Sequence, residues 1–138
     1  MPSNTISPNR ITNVQDIEIN TNGPGEINRM FCYSGLVEVN IAGGMPHPSW
    51  SQEIISFTIG REFTPPDEEV IKITATASIA SCRTDGMASF AGWRIFAAAG
   101  ELDPSVNKVR LNLCVGTRDT QAYLDEVMFQ THVLAKVT

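Results

Sequence analysis

No apolar run in this chain approaches the roughly 20 residues a helix needs to cross a bilayer, so membrane insertion is not expected. The opening residues, "MPSNTISPNRITNVQD", contain no apolar core of the signal-peptide kind. No secretory leader is therefore expected, and the compartment stays open. Basic residues are few: ten Lys and Arg face fifteen Asp and Glu, for a formal charge of −5. The ten are scattered and form no basic stripe, which a nucleic-acid binder would show. Nucleic acid is not an expected partner.

Histidine is scarce as well, with only His47 and His132. Neither sits in a metal-ligand spacing such as HExxH, and no CxxC pair or calcium-loop pattern occurs, so no metal or other cofactor is expected. The sequence has no GxSxG elbow and no phosphate-binding glycine loop. The acidic run Asp67, Glu68 and Glu69 follows a double proline and reads as a solvated turn. Cys114 would be a nucleophile only beside a base, and the sequence places none there. The chain is not expected to be an enzyme. Its three cysteines, Cys32, Cys82 and Cys114, are an odd number, so at least one thiol is free or pairs with another chain.

What is present is alternation. A chain of 138 residues, 42% hydrophobic and 18% charged, reads as one globular domain. From Tyr33 onward the apolar period is two. Val37, Val39 and Ile41 alternate with polar residues, as do Ile55, Phe57 and Ile59. The same holds for Ile71, Ile73, Ala75, Ala77 and Ile79, and for Val109, Leu111, Leu113 and Val115. Val127, Phe129, Val133, Ala135 and Val137 close the chain on that pattern. Such runs predict half-buried strands. Turn-forming stretches separate them: "AGGMPHP", "FTPPDEE", "RTDG" and "GELDPSVN". No segment makes a convincing amphipathic helix. The expected fold is an all-β, antiparallel sandwich of six or seven strands over residues 33–138. Residues 1–32, rich in Asn, Pro, Ser, Thr and Gly, read as an N-terminal arm or linker with one short strand over 17–19.

In "GWRIFAAA", Trp93 and Ile95 should point one way and Arg94 and Phe96 the other. "GTRDT", Gly116 to Thr120, sets Arg118 beside Asp119 and lacks the Asn-Gly or Asp-Gly tip of a tight hairpin. It is expected to line a binding site with Arg94, with Gly116 letting the strand end bend.

Several of these pieces, taken in order, resemble the H-type lectin family, of the Helix-agglutinin and discoidin C-terminal type. They are Ser34–Gly35, "IISF" at 54–57, the double proline 65–66 before "VIKITATAS", Arg94 in its strand, and "GTRDT" before a final strand. The resemblance spans about residues 34–135. It implies a six-stranded sandwich that assembles as a homotrimer and binds glycans of the galactose or N-acetylgalactosamine type at sites between subunits. It carries the family's sugar-binding Arg onto Arg94, the stacking Trp onto Thr117, and a specificity position onto Arg118. The family's acidic loop falls on 43–50, which here has no Asp or Glu, so Asp119 is the expected acidic partner. His47 and Trp50 of that loop, and Tyr123, complete the candidate sugar contacts. Trp50 or Tyr123 would replace the platform lost at Thr117. The family's cysteine matches Cys114, but its partner position reads Val39, which excludes that disulfide.

The polar residues Arg110, Asn112, Gln130, His132 and Lys136 are regular enough to predict an assembly surface. A reading of another class stays open beside the lectin: a structural or attachment module, as in a fibre or virion appendage, without sugar affinity. Arg94 and "GTRDT" favour the lectin, while Thr117 and the Asn- and Pro-rich arm favour the alternative.

Overall fold

β-Branched and aromatic residues in alternation pack well on a pleated surface and poorly in a helix. The computed structural model, which describes residues 4–23, 26–43, 45–46, 48–86 and 90–137, accordingly contains no helix among the described residues. Its strands are β1 (Asn4–Ile6), β2 (Arg10–Gly23), β3 (Glu26–Ile41), β4 (Ser51–Ile59), β5 (Glu68–Thr84), β6 (Gly92–Asp103), β7 (Lys108–Arg118) and β8 (Ala122–Val137). They form two four-stranded sheets, in the orders β1-β4-β7-β6 and β2-β3-β8-β5. The sheets pack face to face as a sandwich. All pairings are antiparallel except β1 with β4, which is parallel.

The inward faces are those the alternation predicts. Val37, Val39 and Ile41 of β3, Ile55, Phe57 and Ile59 of β4, and Val109 to Val115 of β7 at odd positions are buried together with Val127, Phe129, Val133 and Ala135 of β8. Burying each such side chain stabilises the fold by about 1.5–3 kcal/mol. Trp93 and Ile95 pack against this core, as their parity requires, and the Trp93 indole N–H donates to the Tyr123 carbonyl at 2.9 Å.

One apolar position departs from the pattern. Ile71 is 53% exposed, while Val70 packs on the core. The ladder between β5 and β8 slips between Val70 and Lys72, and the extra residue of a bulge sends its side chain to the other face. In the N-terminal segment, the short strand expected over 17–19 lies within a longer one. β2 runs antiparallel to β3 through 10–23, and β1 adds to the edge of β4. The expected domain holds six strands, β3 to β8, within the expected six or seven, and these two edge strands bring the total among the described residues to eight. The expected domain end at Thr138 lies outside the described residues.

The expected assembly surface divides in two. Arg110 and Asn112 lie on the outer face of β7, where Arg110 donates to Asp103 (2.8 Å) and Ser56 (3.0 Å), and Asn112 to Glu101. Gln130, His132 and Lys136 lie on β8, in the other sheet. Outer faces of a sandwich point in opposite directions, so these residues cannot share one flat interface.

Glu68, 7% exposed, closes the opposite end of the molecule from the β7–β8 turn. It accepts from the Thr64 backbone N–H (3.1 Å), the Thr64 hydroxyl (2.7 Å) and Arg61 (2.6 Å). Arg61 also lies over the rings of Phe31 and Phe63, at 5.2 and 5.5 Å.

Candidate functional site

"GTRDT" occupies the passage from β7 to β8, and those strands belong to different sheets. The segment is therefore an arch between sheets, which explains the missing Asn-Gly tip. Gly116, Thr117 and Arg118 still belong to β7. The turn itself begins at Asp119, whose φ of 84° is left-handed, a conformation Asp tolerates better than most side chains. Its carboxylate accepts the Gln121 N–H at 3.1 Å, and its own N–H donates to the Met45 carbonyl at 2.9 Å. That second bond ties the arch to the loop carrying Trp50.

Strand parity then sorts the candidates. Thr117 shares the parity of Leu113 and Val115 and is 1% exposed, so its side chain faces inward and is not presented at the surface. Its hydroxyl oxygen has no hydrogen-bond partner among the described residues. Arg118, Gly116 and Cys114 face outward. In register beside Gly116 stand Gln52 of β4 and Arg94 of β6.

Here four side chains form a chain of ring and guanidinium contacts. The Arg94 guanidinium lies 5.0 Å from the centre of the Phe96 ring. Phe96 meets Trp50 edge to face, with ring centres 5.9 Å apart at 88°. Arg118 lies 4.9 Å from the centre of Trp50, and its Nε donates to the Phe90 carbonyl at 2.9 Å. Each cation–π contact contributes about 0.5–1 kcal/mol at an exposed site.

Two glycines make this arrangement fit. A Cβ at Gly116 would run into the Phe96 ring, and one at Gly92 would lie 2.8 Å from Trp50 and 3.3 Å from Arg118. Gly116 is thus a flat seat for Phe96 within the strand, in place of the bend expected at the strand end. The β6–β7 ladder slips between Ile95 and Ala97, around Phe96, so the ring belongs to a bulge.

The structure therefore brings Arg94, Arg118 and Trp50 together and adds Phe96. It separates Tyr123, which stands on β8 with Arg83 4.4 Å over its ring. Asp119 adjoins Arg118 in sequence, but its carboxylate serves the turn. His47 lies outside the described residues.

The ion pairing of the arginines is uneven. Arg10 pairs with Glu38, Arg29 with Glu18, Arg61 with Glu68, Arg83 with Asp85 and Asp125, and Arg110 with Asp103. Among the described residues, Arg94 and Arg118 have no carboxylate within ion-pair distance. A surface hollow of about 450 Å³ lies elsewhere, bounded by Ser34, Thr76, Met128 and Gln130 on the other sheet. It contains no charged group, so chemistry points to the arginine patch and not to that hollow.

No three His, Cys, Asp or Glu side chains among the described residues are grouped so as to hold a metal ion. The three cysteines are free thiols, and Cys114 stands 4.0 Å from the Gln52 side-chain oxygen. No helix among the described residues is long and apolar enough to cross a membrane. Comparison with family models, with curated proteins and with solved structures finds no match to this chain.

Proposed function

We propose that the protein is a carbohydrate-binding module and that its sugar site is the patch formed by Arg94, Phe96, Trp50 and Arg118. One observation carries the reading: two half-buried rings and two guanidiniums form a continuous row of contacts where the Trp50 loop meets the outer face of β6 and β7. Sugars are gripped by that combination, with an apolar ring face laid on an aromatic side chain and hydroxyls held by fixed donors. The resemblance to H-type lectins, with Arg94 at the family's sugar-binding position, supports the same reading.

Single shallow sites bind weakly, and symmetric assembly multiplies them. We propose self-association as a homotrimer through the outer face of β2-β3-β8-β5, which leaves the patch on the opposite sheet open and not between subunits as the resemblance implies. In the β2-β3-β8-β5 sheet, Ile17, Ile19 and Met128 are each about half exposed. The test of function is a glycan array on the wild type, repeated with Arg94→Ala and Arg118→Ala. Binding lost in both supports the proposal. An array without any hit, from a protein that is folded by circular dichroism, leaves the structural or attachment role.

A further inference from the structure

We infer that the ligand of this patch is an anionic glycan, one bearing a carboxylate or a sulfate ester, rather than a neutral galactose-type sugar. This rests on the carbohydrate reading above and narrows it. The chain holds seven arginines within a net charge of −5, so carboxylates are plentiful. Five arginines have taken one. The two without a carboxylate partner among the described residues are the two at the patch, on neighbouring stretches of β6 and β7. Two cations on adjacent strands without a carboxylate partner make a locally positive surface, which attracts an anion.

The geometry fits an oxyanion. Contact with the Phe96 and Trp50 rings restrains each guanidinium, and a planar fork of N–H donors matches the two oxygens of a carboxylate or sulfate. The Phe90 carbonyl takes the Nε of Arg118 and so holds that head in place. The other groups in the row, Gln52 and Cys114, are neutral. A neutral sugar needs acceptors for its hydroxyl protons, and a carboxylate is the usual one. The only acidic residue adjoining Arg118, Asp119, spends its carboxylate on the turn. The site is therefore rich in donors and poor in acceptors, which suits a ligand that brings its own negative oxygens.

The experiment is a titration of the full chain, by calorimetry, with four probes: a uronic-acid oligosaccharide, a sulfated oligosaccharide, a neutral galactose-terminated oligosaccharide and single-stranded DNA. The inference expects at least one acidic glycan to bind ten- to a hundredfold tighter than the neutral one, with affinity falling as salt rises. The first two arms distinguish carboxylate from sulfate. Arg94→Gln and Arg118→Gln should each weaken acidic-glycan binding about tenfold or more. Arg10→Gln, which removes an equal charge from β2, should leave it unchanged. Neutral and acidic glycans binding equally would overturn the inference and leave the carbohydrate reading standing. No glycan bound at all would overturn both. DNA bound more tightly than either acidic glycan, through the same two arginines, would assign the patch to nucleic acid and also overturn both.

Discussion

Replacing Gly116 by alanine adds one methyl group beneath the candidate site, and the structure says what it meets. Gly116 sits in β7, hydrogen-bonded to β4 on one side and β6 on the other. The new Cβ would overlap the Phe96 ring and stand 2.9 Å from the Ser51 carbonyl oxygen. The ring can swing away on its own side-chain bonds. The carbonyl belongs to the backbone ladder and can yield only if β4 shifts. Overpacking of this kind costs about 1–3 kcal/mol, while replacing a strand glycine recovers about 0.4–1 kcal/mol from the unfolded chain. The net expectation is a loss of about 1–2 kcal/mol. Urea unfolding should show it as a lower midpoint with unchanged slope. Phe96→Ala combined with Gly116→Ala should cost less than the sum of the two single changes, because the ring clash disappears once the ring is gone. A neutral or stabilising Gly116→Ala, or strict additivity, would refute the claim that Phe96 is seated on this glycine.

Glu68 supplies a pH test. Burial pushes its carboxyl up, but donation from Thr64 and Arg61 outweighs this and holds it below the ordinary 4.5. A depressed carboxylate stabilises the fold above its unfolded value and loses that contribution as pH falls through its folded one. Glu68→Gln should therefore cost about 1–2 kcal/mol at neutral pH, and the gap to wild type should narrow below pH 4.5 in thermal melts. A gap that is constant down to acid unfolding would count against the buried pair. At the β6–β7 turn, the Ser105 hydroxyl and then Arg110 hold Asp103 down to about 2 from 3.8. Ser105→Ala should raise that value in a carboxyl-carbon NMR titration, and an unmoved value would show that Ser105 plays no part. Asp119→Ala should cost about 1–3 kcal/mol, since it keeps a left-handed non-glycine residue and removes the bond to Gln121. Asp119→Gly should cost less, and the reverse order in chemical unfolding would contradict the assignment of strain.

The core was legible because period two leaves little freedom: Ile55, Phe57 and Ile59 can only share a face. The same parity, extended by two residues, places Thr117 inward with Val115 and Arg118 outward with Cys114. The signal against Thr117 as a sugar contact was thus present in "LNLCVGTR". Phe96 was also within reach, since it shares a face with Arg94, though its meeting with Trp50 depends on the bulge at 95–97. Bulges are what alternation cannot foresee, and Ile71 moved outward for that reason. Of residues 10–23, only the short strand over 17–19 was legible, because Asn, Asp, Thr and Gln interrupt the apolar alternation on either side of it. β2 is held chiefly by its ladder to β3, with Ile11 packed on the core while Val14, Ile17 and Ile19 are exposed, so its apolar residues do not mark one buried face. That Arg94 and Arg118 have no carboxylate partner among the described residues belongs to tertiary structure alone.

The central claim, that Trp50 lies in a glycan site, is tested most directly by following the two tryptophan side chains separately. In a nitrogen–proton NMR titration with the uronic-acid, sulfated and galactose-terminated oligosaccharides in turn, the indole signal of Trp50 should shift with at least one of them. That shift should be absent in Arg118→Ala. The indole of Trp93, bonded to the Tyr123 carbonyl against the core, should stay in place. A Trp50 signal unmoved at saturating concentrations of all three, or a shift confined to Trp93, would contradict the assignment of the site.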